Sequence, residues 1–426
     1  MAEFPYFFRV RQKFSRPVVS DIPAAVAGAL SQAGLKDRIR PGQTVAITAG
    51  SRGVSNIATI TRQCVDFCKA LGAKPFIVPA MGSHGNATAE GQLGVLARYE
   101  ITPQTMGCEI RSSMEVIEVC QAQEGFTVYF DRHASQADHV LVVNRIKSHT
   151  RFCGPVESGL MKMMLIGLGK QHGAEVYHRA IMNYSFDQIV RSVARETIER
   201  CRIVGGLAIL ENGYEETAEL VGVPPREIES TEPTLLKRVQ AWAPRLPADK
   251  LELLIVDKIG KEISGAGMDT NVIGRKFNDH AAIGAERPDI HTIYLRGLSK
   301  KTNGNATGIG IAELCHRRVV DAMDVPTTNM NCLTGGHVTA AMIPMHYSED
   351  RRALKAAFGL AGMLTREQIP ALWIEDTLHL EEIECSQALM PAMQAMENIE
   401  ILGDPKPLPF DFAGNLISPF DRHAPY

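Results

Sequence analysis

The sequence predicts an α/β protein: two α/β domains with mostly parallel sheets flanked by helices, and an active site in the interdomain cleft. Three observations lead there. Short β-rich apolar runs alternate with amphipathic segments of helical period. The polar clusters GSRG, GSHGN and KSHTR each stand directly after such a run, where open α/β sheets place their sites. The pattern breaks at residues 222–250, in GVPPREIESTEPT and RLPADK, and then starts again. Sites of this kind favour domain interfaces.

Taken in order, TVAITAG (44–50) reads as a buried strand ending in glycine, and IATITRQCVDFCKALGA (57–73) as the helix after it. PFIVPAMG (75–82) is a second strand, followed by the polar loop SHGNAT and a helix at 88–99. HVLVVNRI (139–146) is a third strand, 186–201 a helix and RIVGGLAILENG (202–213) a further strand. Beyond the break, LELLIVDKIG (251–260) and HTIYLRGL (291–298) are strands. Segment 302–323 reads as loop then helix, and 350–360 and 385–396 as helices. The expected domains are 1–245 and 250–400, with a Pro-rich tail, 401–426, that packs back on the first domain.

Composition narrows the classes of function. A net charge of −3 gives no field that would favour nucleic acid or an acidic membrane. Aromatics at 6% supply few stacking surfaces for bases. Nine scattered cysteines without a CxxC pair read as free thiols of a reducing compartment. Cys64 and Cys68 share a helix face, as core residues do. No run approaches 18 apolar residues and no secretory leader opens the chain, so a soluble cytoplasmic protein is expected.

The stretch SHTRFCGPVESGLMKMMLIGLGKQHGAEVYH (148–178) concentrates the chemistry, with three histidines and five glycines after a buried strand. A lone loop histidine is ordinarily solvated. His84 and His149, at equivalent strand ends, are candidates for an acid/base pair. Arg52 follows another strand, and its guanidinium can fork onto a carboxylate or phosphate. The loop GPVESG, with Gly154 and Gly159, offers backbone that can approach an anion. Lys162, set among Leu and Met, is either a snorkelling lysine or a desolvated nucleophile. His172 and His178 lack the i,i+4 spacing of a helical zinc pair. IGLGK (166–170) is a weak phosphate-loop signal, and no GxGxxG follows the first strand.

In this order, the Arg52 loop, GSHGN, KSH, the Lys162 segment, YH, MDTN and TNGNATGIG resemble the lactate racemase family, isomerases that use a nickel-pincer nucleotide. The resemblance implies a pyridinium-3-thioamide-5-thiocarboxylate mononucleotide with nickel, covalently attached to Lys162 in a cofactor-binding and catalytic N-terminal domain. It makes His178 the nickel ligand, His84 and His149 the acid/base pair, and Arg52 the contact to anionic substrate or cofactor. Gly154 and Gly159 fall near the cofactor phosphate. Asp269 and Asn271 match an Asp-x-Asn turn, with Arg275 or Lys276 as the second-domain cation; Asn271, Arg275 and Lys276 are then substrate-binding. His172 receives no role. Ala49 stands where the family has an acidic residue, so the expected substrate is a 2-hydroxy acid other than lactate, such as a sugar acid. Its carbon 2 would be inverted by proton-coupled hydride transfer. The implied partners are that small molecule and the cofactor-biosynthesis enzymes, with no nucleic acid or membrane. A sugar-acid dehydratase or lyase using the same histidines, and a nucleotide- or metallocofactor-binding protein without turnover, are the alternatives.

Overall fold

The computed structural model describes residues 3–51 and 53–420. The chain divides into two compact units, Ser15–Ala243 and Met1–Phe14 with Pro244–Tyr426. The first strand, β1 (Phe7–Gln12), therefore belongs with the second half of the chain.

The unit Ser15–Ala243 is built on a five-stranded sheet. Its strands are β2 (Thr44–Ala49), β3 (Lys74–Pro79), β6 (His139–Ile146), β7 (Ile203–Glu211) and β8 (Thr217–Val223). A separate antiparallel hairpin, β4 (Val116–Gln121) and β5 (Thr127–Asp131), lies between β3 and β6 in the chain. The sheet order is β3-β2-β6-β7-β8, parallel except for β8. Each central strand is apolar on both faces because helices cover both. Val45, Ile47, Leu141 and Val143 pack with Leu30 and Cys64 on one side. Ala46, Val140 and Val142 pack with Leu160 and Met164 on the other. Helix Ile22–Gln32 starts at Asp21, whose carboxylate accepts the Ala24 N–H at 2.9 Å. Helix Phe186–Arg200 starts at Ser185 in the same way. The strand order reverses between β2 and β6, and such a switch point opens a crevice at the carboxyl ends of the strands.

The other unit holds an eight-stranded mixed sheet. Its later strands are β9 (Lys250–Val256), β10 (Asp289–Leu295), β11 (Leu314–His316), β12 (Met345–Tyr347), β13 (Ala371–Ile374), β14 (Glu382–Ser386) and β15 (Ile399–Ile401). The order is β12-β11-β10-β9-β13-β14-β1-β15, with β9 to β13 parallel and the rest antiparallel.

Three expectations change. Residues up to 14 join the second unit instead of a 1–245 domain, because β1 pairs with β14 and β15. The tail packs on that same unit: Phe7 and Lys406 exchange backbone bonds, and Leu416 is buried with its N–H on Asp350 Oδ2 at 2.8 Å. The stretch 385–396 is not one helix, since Cys385 lies in β14 opposite Phe8 and the helix covers only Met390–Gln394. Among the described residues, no helix is long and apolar enough to cross a membrane.

Phe8 is 1% exposed in the core of the second unit. Phe8→Ala is expected to cost that unit about 3–5 kcal/mol. Hydrogen exchange should speed up in β9 to β15 and stay unchanged in β2 to β8; equal acceleration in both sheets would contradict this division.

Candidate functional site

The three loops at the carboxyl ends of β2, β3 and β6 carry Ser51, His84 and His149. Arg52, expected in the first of them, lies outside the described residues. The rest of the site follows in the chain, on Leu160–Lys162, a π-helical turn Met163–Gly167 and the helix Lys170–Ala180. π-turns of this kind recur at functional sites.

His149 is held at three points. Its N–H donates to Glu157 Oε2 at 2.7 Å, and Glu157 is 4% exposed. Its Nδ1 accepts the N–H groups of Arg151 at 3.1 Å and Phe152 at 3.2 Å. Those two donors assign the proton of the neutral ring to Nε2. The ring stacks on Phe152, with centroids 3.7 Å apart and planes 5° from parallel. Phe152 in turn stacks on Phe186 and meets Tyr177 edge-on at 5.1 Å.

Lys162 enters this same aromatic group, with Nζ 5.0 Å from the Phe152 centroid. Leu160, Met161, Met163, Met164 and Leu165 around it are buried, and Lys162 is half-buried. His178 follows Tyr177, with ring centroids 5.2 Å apart. Its ring is exposed on the helix, yet partial desolvation lowers its pKa below the usual imidazole value. A neutral imidazole is the form that ligates a metal.

His84 is exposed, and its Nδ1 hydrogen-bonds Ser51 Oγ. The β2 loop also touches the lysine segment: a Cβ on Gly50 would lie 3.5 Å from Met163 Cε. Thus His149, Lys162 and His178 are joined through Phe152 and Tyr177, and His84 meets their segment through Gly50 and Ser51.

The two loop glycines differ. Gly154 is exposed with φ +148°, a backbone state that excludes most side chains. Gly159 is buried, and a Cβ there would stand 2.3 Å from Glu232 Oε1. Close packing, and not an approaching anion, is what requires glycine at 159. Its carbonyl accepts from Asn144 Nδ2 at 2.7 Å. Glu232 Oε2 accepts the Met161 N–H at 3.0 Å and so caps the turn that bears Lys162. His172 sits on the exposed face of its helix, with its ring against Tyr129.

The remaining predicted residues lie in the second unit. Asp269 Oδ1 accepts from the Asn271 N–H and from Asn271 Nδ2, at 2.9 and 2.8 Å, closing the Asp-x-Asn turn on itself. Arg275 departs from its expected role. It is fully buried, and its guanidinium donates to the carbonyls of Asp279, Ile290 and Ile311 and to Glu313. It ties loops together and does not face a substrate. Lys276 is half-buried, with its backbone N–H on Glu286 Oε1 at 2.7 Å.

Among the described residues, one grouping has metal-ligand spacing: Glu375, Asp376 and His379, with ligand atoms within 4.8 Å. Lys258 already pairs with Glu375 there. Cys64 and Cys68 are core residues, and burial pushes the Cys68 thiol up to about 12.

Sequence reasoning missed two buried groups. Lys170 forms a fully buried ion pair with Asp131 at 3.0 Å, and desolvation lowers its pKa. Glu232 has no cation, and burial raises its carboxyl to about 7. The only sequence hint was charge inside otherwise apolar helical faces.

Fold and site together define a two-unit α/β protein with a histidine- and lysine-bearing site at the switch point of its first sheet. Residues 11–188 match the lactate racemase N-terminal domain. The structure of the lactate racemase apoprotein from Thermoanaerobacterium thermosaccharolyticum is similar in fold, with a TM-score of 0.51 at 13% identity, covering 83% of this chain and 90% of that one. No curated protein matches the chain.

Glu232 makes stability depend on pH. Between about 4.5 and 7 the native state binds a proton that the unfolded chain has released, so stability falls as pH rises through that window. Urea unfolding at pH 4 and 8 should show a wild-type loss about 3 kcal/mol larger than that of Glu232→Gln. Parallel profiles for the two proteins would refute the assignment.

Proposed function

We propose that this chain is an isomerase that inverts carbon 2 of a 2-hydroxy acid other than lactate, with a nickel-pincer nucleotide attached at Lys162. The reading rests on one observation above all: His149, Lys162 and His178 share a single aromatic cluster at the carboxyl edge of the first sheet. The match of residues 11–188 to the lactate racemase N-terminal domain supports it.

The donor set suits such a group. Lys162 offers an amine at the wall of an apolar cluster. His178 offers a neutral imidazole to the metal. When bound, the nucleotide supplies a hydride acceptor and donor, chemistry that no side chain provides. The protein's own task is to move the hydroxyl proton and to orient the acid. His84 takes that proton at Nε2 when its Nδ1–H faces Ser51 Oγ. His149 presents Nε2–H as a hydrogen-bond donor to the oxygen of the 2-keto acid, and delivers a proton only as the imidazolium, with Nδ1 also protonated. Return of the proton to the other face exchanges these duties. Arg52 is the proposed partner of the substrate carboxylate.

Protein co-produced with the cofactor-making enzymes should carry added mass at Lys162 together with bound nickel, and Lys162→Ala should carry neither. Chiral chromatography over a panel of hydroxy acids should find one that is inverted. His84→Ala and His149→Ala should each lower that rate about 10²–10⁴-fold while the added mass stays. A 2-keto-3-deoxy product would make the chain a dehydratase, and an unmodified Lys162 would end the proposal.

A further inference from the structure

Lys170 has no part in the chemistry proposed above, yet it is the most completely partnered cation in the first unit's core. Its ammonium donates to the Pro79 carbonyl and to Gln92 Oε1 at 3.3 Å, and forms an ion pair with Asp131 Oδ2 at 3.0 Å. Gln92, also fully buried, passes the connection on. Its Nε2 donates to the carbonyls of Gly82 at 2.9 Å and His84 at 3.3 Å. Asp131 is fixed from behind, since its Oδ1 accepts the Ala134 N–H at 2.8 Å.

The positions of these partners matter more than their number. Pro79 ends β3, and Gly82 and His84 form the loop after it. Lys170 begins the helix that carries His178 and comes three residues after the π-turn that follows Lys162. It holds a left-handed φ of +54°, which costs a non-glycine residue about 1–2 kcal/mol. A glycine at 170 would avoid that cost but would lose the ammonium.

We propose that Lys170, acting through Gln92, is the positioning residue that holds the His84 loop against the helix bearing His178. The proposal rests on the reading of His84 as acid/base and His178 as metal ligand. It assigns their mutual placement to one buried cation.

The decisive variant is Gln92→Glu. It keeps an acceptor for Lys170 and removes both N–H donors to the loop. The measurement uses the full chain without cofactor: NMR of the His84 ring, and hydrogen exchange at Ala87 and Thr88, whose N–H groups close the loop on Ser83 and Gly85. The His84 signal should move, and exchange at those two amides should rise about tenfold, the worth of one buried hydrogen bond. The His172 signal should stay in place. If Gln92→Glu does not fold, Lys170→Met with Asp131→Asn removes the cation without leaving an unpaired carboxylate, and the same local changes are expected.

An unmoved His84 signal, or acceleration spread evenly over the sheet, would reduce Lys170 to a core staple and overturn the proposal. These readouts need neither nickel nor turnover. A chain that never loads cofactor would sink the isomerase reading and leave this test intact. A loaded, active enzyme with an undisturbed His84 would sink only the positioning role.

Discussion

The backbone that carries Lys162 passes close against the side chains of Glu232 and Ile146. A Cβ on Gly159 would meet Glu232 Oε1 at 2.3 Å and Ile146 Cδ1 at 2.6 Å. Asn144 holds the Gly159 carbonyl from the end of β6, and Glu232 takes the next N–H donors. The tightness continues down the segment. A Cβ on Gly167 would lie 2.8 Å from the Ala80 carbonyl, and on Gly169 and Gly173 it would strike the Leu165 carbonyl at 2.2 and 2.4 Å. The segment is thus laid directly on the sheet's carboxyl edge, which brings Lys162 to Phe152 and His149. Gly159 and Gly167 serve that contact, Gly169 and Gly173 pack against the Leu165 carbonyl within the segment itself, and Gly154 is exposed.

Two buried carboxylates support this arrangement in different ways. Asp131 is paired with Lys170, and both are fully buried, so either one alone would leave an uncompensated charge inside the protein. Glu232 has backbone N–H groups but no cation in contact, and desolvation outweighs those bonds. One carboxylate is a fixed ionic link; the other changes charge near neutrality directly beneath the lysine turn. Replacing the pair by apolar residues of like size need not weaken the fold. It would remove the directional bonds that tie Pro79, Gln92 and the His84 loop together, and direction is what a hydrophobic contact cannot supply.

The parts that were legible in the sequence are those set by local pattern. Parallel strands buried on both faces are continuous apolar runs, so β2, β3, β6 and β7 stand out, and the carboxyl-end rule finds His84 and His149 after them. What stayed hidden depends on distant pairing. Arg9 faces Glu384 across the register of β1 and β14, and nothing near residue 9 announces that partner. Lys170 sits in IGLGK, a run that reads as a loop, and only Asp131 on β5 explains its burial. Glu232 falls in a stretch that reads as a domain boundary. Arg275 reads as an available cation because sequence records its charge but not its burial or the carbonyls of Asp279, Ile290 and Ile311 that its terminal nitrogens bond.

The two histidines are chemically unequal, and that constrains the proposed reaction. On His149 the backbone fixes Nδ1 as acceptor, so the neutral ring presents only a donor at Nε2. On His84 the partner is a serine hydroxyl, which can donate to Nδ1 or accept from it, so that ring can present either a proton or a lone pair. A reaction that removes a proton on one face and returns it on the other needs each imidazole to take both forms. For His84 a rotation of the Ser51 hydroxyl is enough. For His149 the Arg151 and Phe152 N–H groups must first release Nδ1, while the ring stays stacked on Phe152. Release of Nδ1 is therefore required whether His149 takes the proton at Nε2 or, as the imidazolium, delivers it. The overall equilibrium cannot depend on this, because a catalyst does not alter it. The added step belongs to His149 in both directions, and its origin is two backbone N–H groups on one ring nitrogen.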